Sequence, residues 1–99
     1  MSPALAEAIA AATDLAWRST SNLPGSVRYH ERRESHAALV RAIARVRTPR
    51  GAPAELRYLI AAMRRVAACS FANRMGQPYY ARKRAVAELR GCLEVYRRS

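Results

Sequence analysis

The 99-residue sequence predicts an all-α fold, a small bundle of about four antiparallel helices. Three observations carry that expectation. Apolar residues recur at helical spacing in four separate segments, and clusters rich in Pro, Gly, Ser, Thr and Asn fall between them. No stretch alternates apolar and polar residues with β-branched enrichment, as a half-buried strand would. About half of the chain is apolar, enough for one modest core, so residues 1–99 are read as a single domain.

The first helix opens with Ser2 as N-cap and Pro3 at its first position, and is expected to reach about Arg18. A serine hydroxyl there accepts from an otherwise orphaned amide, and proline at the first position forfeits no helical hydrogen bond. Leu5, Ala8, Ile9, Ala12 and Ala16 share one face, with Glu7, Asp14 and Arg18 opposite. Leu15 and Trp17 fall off that face, as Tyr58 does on a later helix. They are read either as cover for the bundle or as a patch for a partner or a second copy. Thr20 to Gly25 form a turn-rich linker.

The second helix is expected from just after Ser26 to about Arg47, with Leu39, Val40, Ile43 and Val46 on its apolar face and Tyr29, Arg32 and His36 continuing that face backward. Its first two turns are crowded with charge and read as exposed or irregular. Pro49 and Pro53 then each disfavour helical geometry in the residue before them, so the helix stops. The third helix starts at Pro53, with Glu55 where a carboxylate suits the helix dipole. It carries the clearest stripe: Leu56, Leu59, Ile60, Met63, Val66, Ala67, Ser70 and Phe71. Met75 to Pro78 is a stop signal, with Gly76 suited to a left-handed cap.

The fourth helix is expected from about Pro78 to Arg97, burying Val86, Leu89, Leu93 and Tyr96. Gly91 inside it costs about 1 kcal/mol relative to alanine and is read as a close helix crossing. Short connections make neighbours antiparallel, giving three long helices and a shorter one. A hairpin of the last two helices centred on residue 77 puts Cys69 level with residue 85, so Cys92 lies about 10 Å further along. That exceeds the roughly 7 Å across which two α-carbons can be bridged. Two reduced thiols are therefore expected, too few for a disulfide scaffold and wrongly spaced for a zinc pair.

Charge supplies the main functional clue. Seventeen Arg and one Lys face seven acids, a formal net charge of +11. A GC-rich genome accounts for Arg over Lys, but not for the shortage of acids. Such a surplus raises encounter with polyanions and acidic surfaces at the expense of self-repulsion. The basic-aromatic stretch Tyr79, Tyr80, Arg82, Lys83 and Arg84 leads into Arg90 and Arg97, and Lys83, Arg90 and Arg97 recur every seven residues beside the apolar face. Glu88 and Glu94 are placed to neutralise part of this stripe. A second cluster comprises Arg57, Arg64 and Arg65 on the third helix, where Arg57 and Arg64 flank the apolar face seven residues apart, and Arg41, Arg45, Arg47 and Arg50 at the end of the second. If the third and fourth helices are adjacent, the two stripes are expected to join into one basic surface.

Other chemistry has little support. Ala72 and Gly76 resemble the small-residue and glycine positions of a DNA-reading helix-turn-helix, but Arg82 stands where that motif presents an apolar residue, so an ordinary glycine-capped hairpin is the preferred reading. His30 and His36 point to different sides of their helix, and no Gly-rich phosphate loop, nucleophile elbow or carboxylate pair occurs. No catalytic residues, cofactor or metal site are expected. The leading expectation is a non-enzymatic nucleic-acid binder, of DNA or RNA, acting through arginine–phosphate contacts. The competing expectation is a protein-binding regulator or inhibitor that docks its basic face on an acidic protein surface or blocks the nucleic-acid site of a larger complex. With no signal-like leader and no apolar run of spanning length, no membrane association is expected and a cytoplasmic location is, with a homo-oligomer compatible.

Overall fold

The computed structural model describes residues 2–17, 27–69 and 77–99, without the side chains of residues 27–29, 77 and 78. Its elements are α1 (Pro3–Trp17), α2 (Val27–Ile43), α3 (Ala54–Ala68) and α4 (Gln77–Arg98). There is no strand among the described residues. The bundle is all-α, as the periodicity requires, but no helix is distinctly short: α1 and α3 have 15 residues, α2 has 17 and α4 has 22.

The helices pack in a ring, α1 on α2, α2 on α3, α3 on α4 and α4 on α1, within an envelope of 42 × 22 × 20 Å. Register within the α3–α4 hairpin is visible in two cross-connections. Arg65 meets Glu88 at 2.5 Å, and seven residues away on each helix Tyr58 and Val95 line one recess. A step down α3 is matched by an equal step up α4, so the pair is antiparallel and centred near residue 77. Likewise Glu7 near the start of α1 meets Arg45 just beyond the end of α2 at 2.5 Å, while Asp14 and Ala38 line the same groove further along.

At the centre lie Leu15, Leu39, Leu59, Ile60, Met63, Val66, Leu89 and Leu93. Burial of each such side chain contributes about 1.5–3 kcal/mol. Leu15 is only 1% exposed, contrary to its expected place off the apolar face. α1 touches both α2 and α4, so its buried arc, Leu5, Ala8, Ala11, Ala12, Leu15 and Ala16, is wider than a single stripe. Val40, by contrast, is exposed, and the inward face of α2 runs through Leu39, Ala42 and Ile43.

Local signals set the ends. The Leu5 amide donates to the Ser2 hydroxyl at 3.2 Å, the cap expected of that serine. α2 stops at Ile43 rather than Arg47, and the chain then reverses through Gly51, whose φ of +71° is the left-handed conformation that glycine adopts without a Cβ penalty. At the end of α3 the Cys69 amide donates to the Val66 carbonyl at 3.1 Å. Arg18, the linker from Thr20 to Ser26, and Ser70, Phe71, Ala72, Met75 and Gly76 lie outside the described residues, and with them the helix-turn-helix resemblance. Both cysteines are unlinked.

The expected close crossing at Gly91 is not made among the described residues: a Cβ at that position meets none of them within 4 Å. In dilute protein, Gly91→Ala is therefore expected to stabilise the fold by about 1 kcal/mol in chemical denaturation. Leu59→Ala or Met63→Ala is expected to cost about 2–5 kcal/mol, and a loss below about 1 kcal/mol at either position contradicts the core assignment.

Candidate basic interface

The nine basic and aromatic residues singled out by sequence do not form one surface. Arg82 is the clearest departure. It is only 3% exposed, its guanidinium 5.4 Å from the centre of the Tyr79 ring, so it is withdrawn from the outward ridge expected of it. The reason is its phase: positions 82, 86, 89 and 93 make one stripe of α4, and the other three are the buried Val86, Leu89 and Leu93. Tyr79 is half-buried and meets Tyr80 edge-on, with ring centres 5.2 Å apart, while Tyr80 remains exposed.

Arg82 belongs to a polar end of the bundle that sequence reasoning missed. Arg32, 2% exposed, and Ser35 are also buried on α2, and each of these side chains has an interaction partner, although the Arg32 Nε itself is buried without a hydrogen bond among the described residues. Beside them His36 places Nε2 3.2 Å from both the Val66 and the Ala67 carbonyls. A neutral imidazole with its proton on Nε2 donates there, satisfying carbonyls that the end of α3 leaves open. Burial lowers the His36 pKa; the two carbonyls oppose that shift and nearby Arg82 adds to it. Burial likewise pushes the Cys69 thiol upward against the pull of Arg82, and the Cys92 thiol upward with help from Glu88 and against Arg65. Neither thiol is activated as a thiolate nucleophile. Among the described residues, no three His, Cys, Asp or Glu side chains come together as a metal site.

The two basic stripes diverge. On α4, the Arg90 Nε donates to the Ala16 carbonyl at the end of α1, and the Arg97 guanidinium lies 5.2 Å from the Trp17 ring centre. Both therefore reach toward α1 and help to seat it, while Lys83 and Arg84 stay exposed. On α3, Arg64 donates to the Val46 carbonyl at 3.2 Å, and Arg57 lies two turns earlier on the same side, facing the α2 flank. With α3 and α4 adjacent, the stripes thus occupy opposite flanks, and the expected joined surface does not form. Glu88 pairs with Arg65 rather than Arg84, and Glu94 with Arg98 at 3.8 Å rather than Arg90 or Arg97.

The corner formed by the α2–α3 connection and α3 carries four exposed arginines, Arg47 and Arg50 in the connection and Arg57 and Arg64 on the helix, none with a carboxylate in ion-pair reach among the described residues. Arg47 also lines a groove with Ser2, Leu5 and Tyr96. Exposed guanidinium forks of this kind suit phosphate or carboxylate oxygens. No helix among the described residues is long and apolar enough to cross a membrane.

Two outcomes follow from this arrangement. His36 is held neutral in the fold while the unfolded chain protonates near pH 6.5, so stability is complete above that pH and declines as pH falls through it toward the lower folded value. Denaturation at about pH 7.5 and about pH 5.5 is expected to show that decline in the wild type, and His36→Gln, which keeps an amide donor, is expected to reduce it. Arg90→Ala is expected to cost about 1–2 kcal/mol by removing the hydrogen bond to Ala16, whereas Arg57→Ala is expected to stay within about 0.5 kcal/mol. Equal effects of the two contradict the division of roles.

No protein-family model matches the chain, and neither a curated protein nor a solved structure shows significant similarity to it.

Proposed function

We propose that this protein binds nucleic acid through arginine–phosphate contacts, without catalysis. The observation that carries the reading is the α2–α3 corner, where Arg47, Arg50, Arg57 and Arg64 are each exposed without an acidic partner among the described residues, in a chain of net charge +11. Like charges gathered without neutralisation repel one another, and an anionic backbone relieves that repulsion while its condensed counterions are released. Lys83 and Arg84 on α4, beside the exposed Tyr80, add a second basic element on which a base can stack. Phosphate contacts carry no base identity, so the reading implies little sequence specificity. It assigns Arg90 and Arg97 chiefly to seating α1 and moves the weight of binding to the corner.

Fluorescence anisotropy with labelled duplex and single-stranded oligonucleotides over a salt series tests this. Wild-type affinity is expected to fall linearly in log–log form with salt. The triple variant Arg47→Ala, Arg50→Ala, Arg57→Ala is expected to flatten the slope by about 1 for each phosphate that is no longer neutralised, with similar weakening for different sequences. Absence of binding to DNA and RNA even near about 50 mM salt contradicts the proposal. If the same variant instead fails to be captured by an acidic protein surface that holds the wild type, the regulator reading takes its place.

A further inference from the structure

The outer face of the α3–α4 hairpin differs from the rest of the molecule. Tyr58 and Val95 are 65% and 51% exposed there, and with Gly91, Cys92, Glu55 and Glu88 they line a recess of about 210 Å³. Glycine in the interior of a helix is unfavourable, and nothing among the described residues approaches Gly91 closely enough to require it. A missing side chain on an exposed helix face, one turn from the exposed Ala87 and one turn from Val95, lets another helix approach the backbone.

Charge along the face is ordered. The α3 edge runs from Glu55 through Tyr58 to Arg65, and the α4 edge from Arg84 through Glu88, Gly91 and Cys92 to Val95. By the hairpin register, Glu55 lies level with residue 98, seven positions to one side of Gly91, and Arg84 lies seven positions to the other side. Arg98 at the acidic end is already paired with Glu94, and Glu88 at the basic end with Arg65. The face is thus acidic at one end, apolar in the middle and basic at the other. A two-fold axis at the level of Gly91 sets each end against its complement.

We infer that this face is a self-association surface on which a second copy of the chain packs antiparallel, α4 crossing α4 at Gly91, with Glu55 of each copy facing Arg84 of the other. A symmetric dimer uses the same patch twice, and the polarity just described is what such an interface needs. The inference does not rest on nucleic-acid binding at the α2–α3 corner, on the other side of α3; of the residues proposed to bind nucleic acid, it shares Arg84.

Sedimentation velocity across a series from low micromolar to about 100 μM tests it. Wild type is expected to shift from monomer to dimer over that range. Gly91→Arg, at a position with open space, is expected to stay folded by circular dichroism and to weaken the dimer at least about 10-fold. Gly91→Ala is expected to raise the melting temperature of dilute monomer while weakening the dimer, opposite signs that a purely intramolecular role does not produce. Glu55→Arg and Arg84→Glu chains are each expected to dimerise poorly alone and to pair when mixed, because complementary ends then face one another again. Wild type that remains monomeric throughout, a dimer indifferent to Gly91→Arg, or charge variants that fail to pair on mixing each overturns the inference.

Discussion

Leu59, Ile60, Met63 and Val66 packed against Val86, Leu89 and Leu93 set the register of the α3–α4 hairpin, and most other features of the molecule depend on that register. Sliding one helix past the other by a turn opens voids in a closely packed interior, which is why a single register is held. With it in place, Arg65 falls opposite Glu88 and Tyr58 opposite Val95, Arg82 is carried inward with the apolar stripe, and Arg64 and Arg90 are sent to opposite flanks. The distribution of positive charge is thus a consequence of core packing rather than of linear spacing alone.

The arginines consequently do three kinds of work. Arg32 and Arg82 sit inside one end of the bundle, beside the His36 link between α2 and the last turn of α3. Arg64 and Arg90 tie elements together by donating to carbonyls beyond their own helices, and Arg97 covers one side of Trp17. Both carbonyl contacts satisfy acceptors where regular structure ends, a use for which the long guanidinium is suited and the shorter polar side chains are not. Arg47, Arg50, Arg57, Lys83 and Arg84 face solvent, and the proposed function rests on these together with Arg64, which is exposed as well as bonded to the Val46 carbonyl.

Much of the fold was legible in the sequence. The Ser2 cap, the four segments, the core stripe of α3 and the hairpin centre near residue 77 all follow from short-range rules of capping, periodicity and connection length. The inward turn of Arg82 was legible in principle, since it keeps phase with Val86, Leu89 and Leu93, but its charge type weighed more heavily than its position. The wider buried arc of α1, which takes in Leu15, was not legible, because it depends on that helix having two neighbours at once. Nor was the split of the basic stripes, which requires knowing that α3 faces α2 on one side and α4 on the other. The polar end at Arg32, Ser35 and His36 was partly visible: Arg32 and His36 shared the apolar face of α2, the one signal that marked them as inward.

The division of arginines into those held by the fold and those left to a partner is the central claim. The most direct test is nuclear magnetic resonance of the arginine side chains in the isolated protein. The Nε–H groups of Arg82 and Arg90 are predicted to give resolved signals that exchange slowly with water, while those of Arg47, Arg50 and Arg57 exchange rapidly and average together. Slow exchange at Arg47, Arg50 and Arg57, with Arg82 and Arg90 as labile as any surface group, would contradict the account.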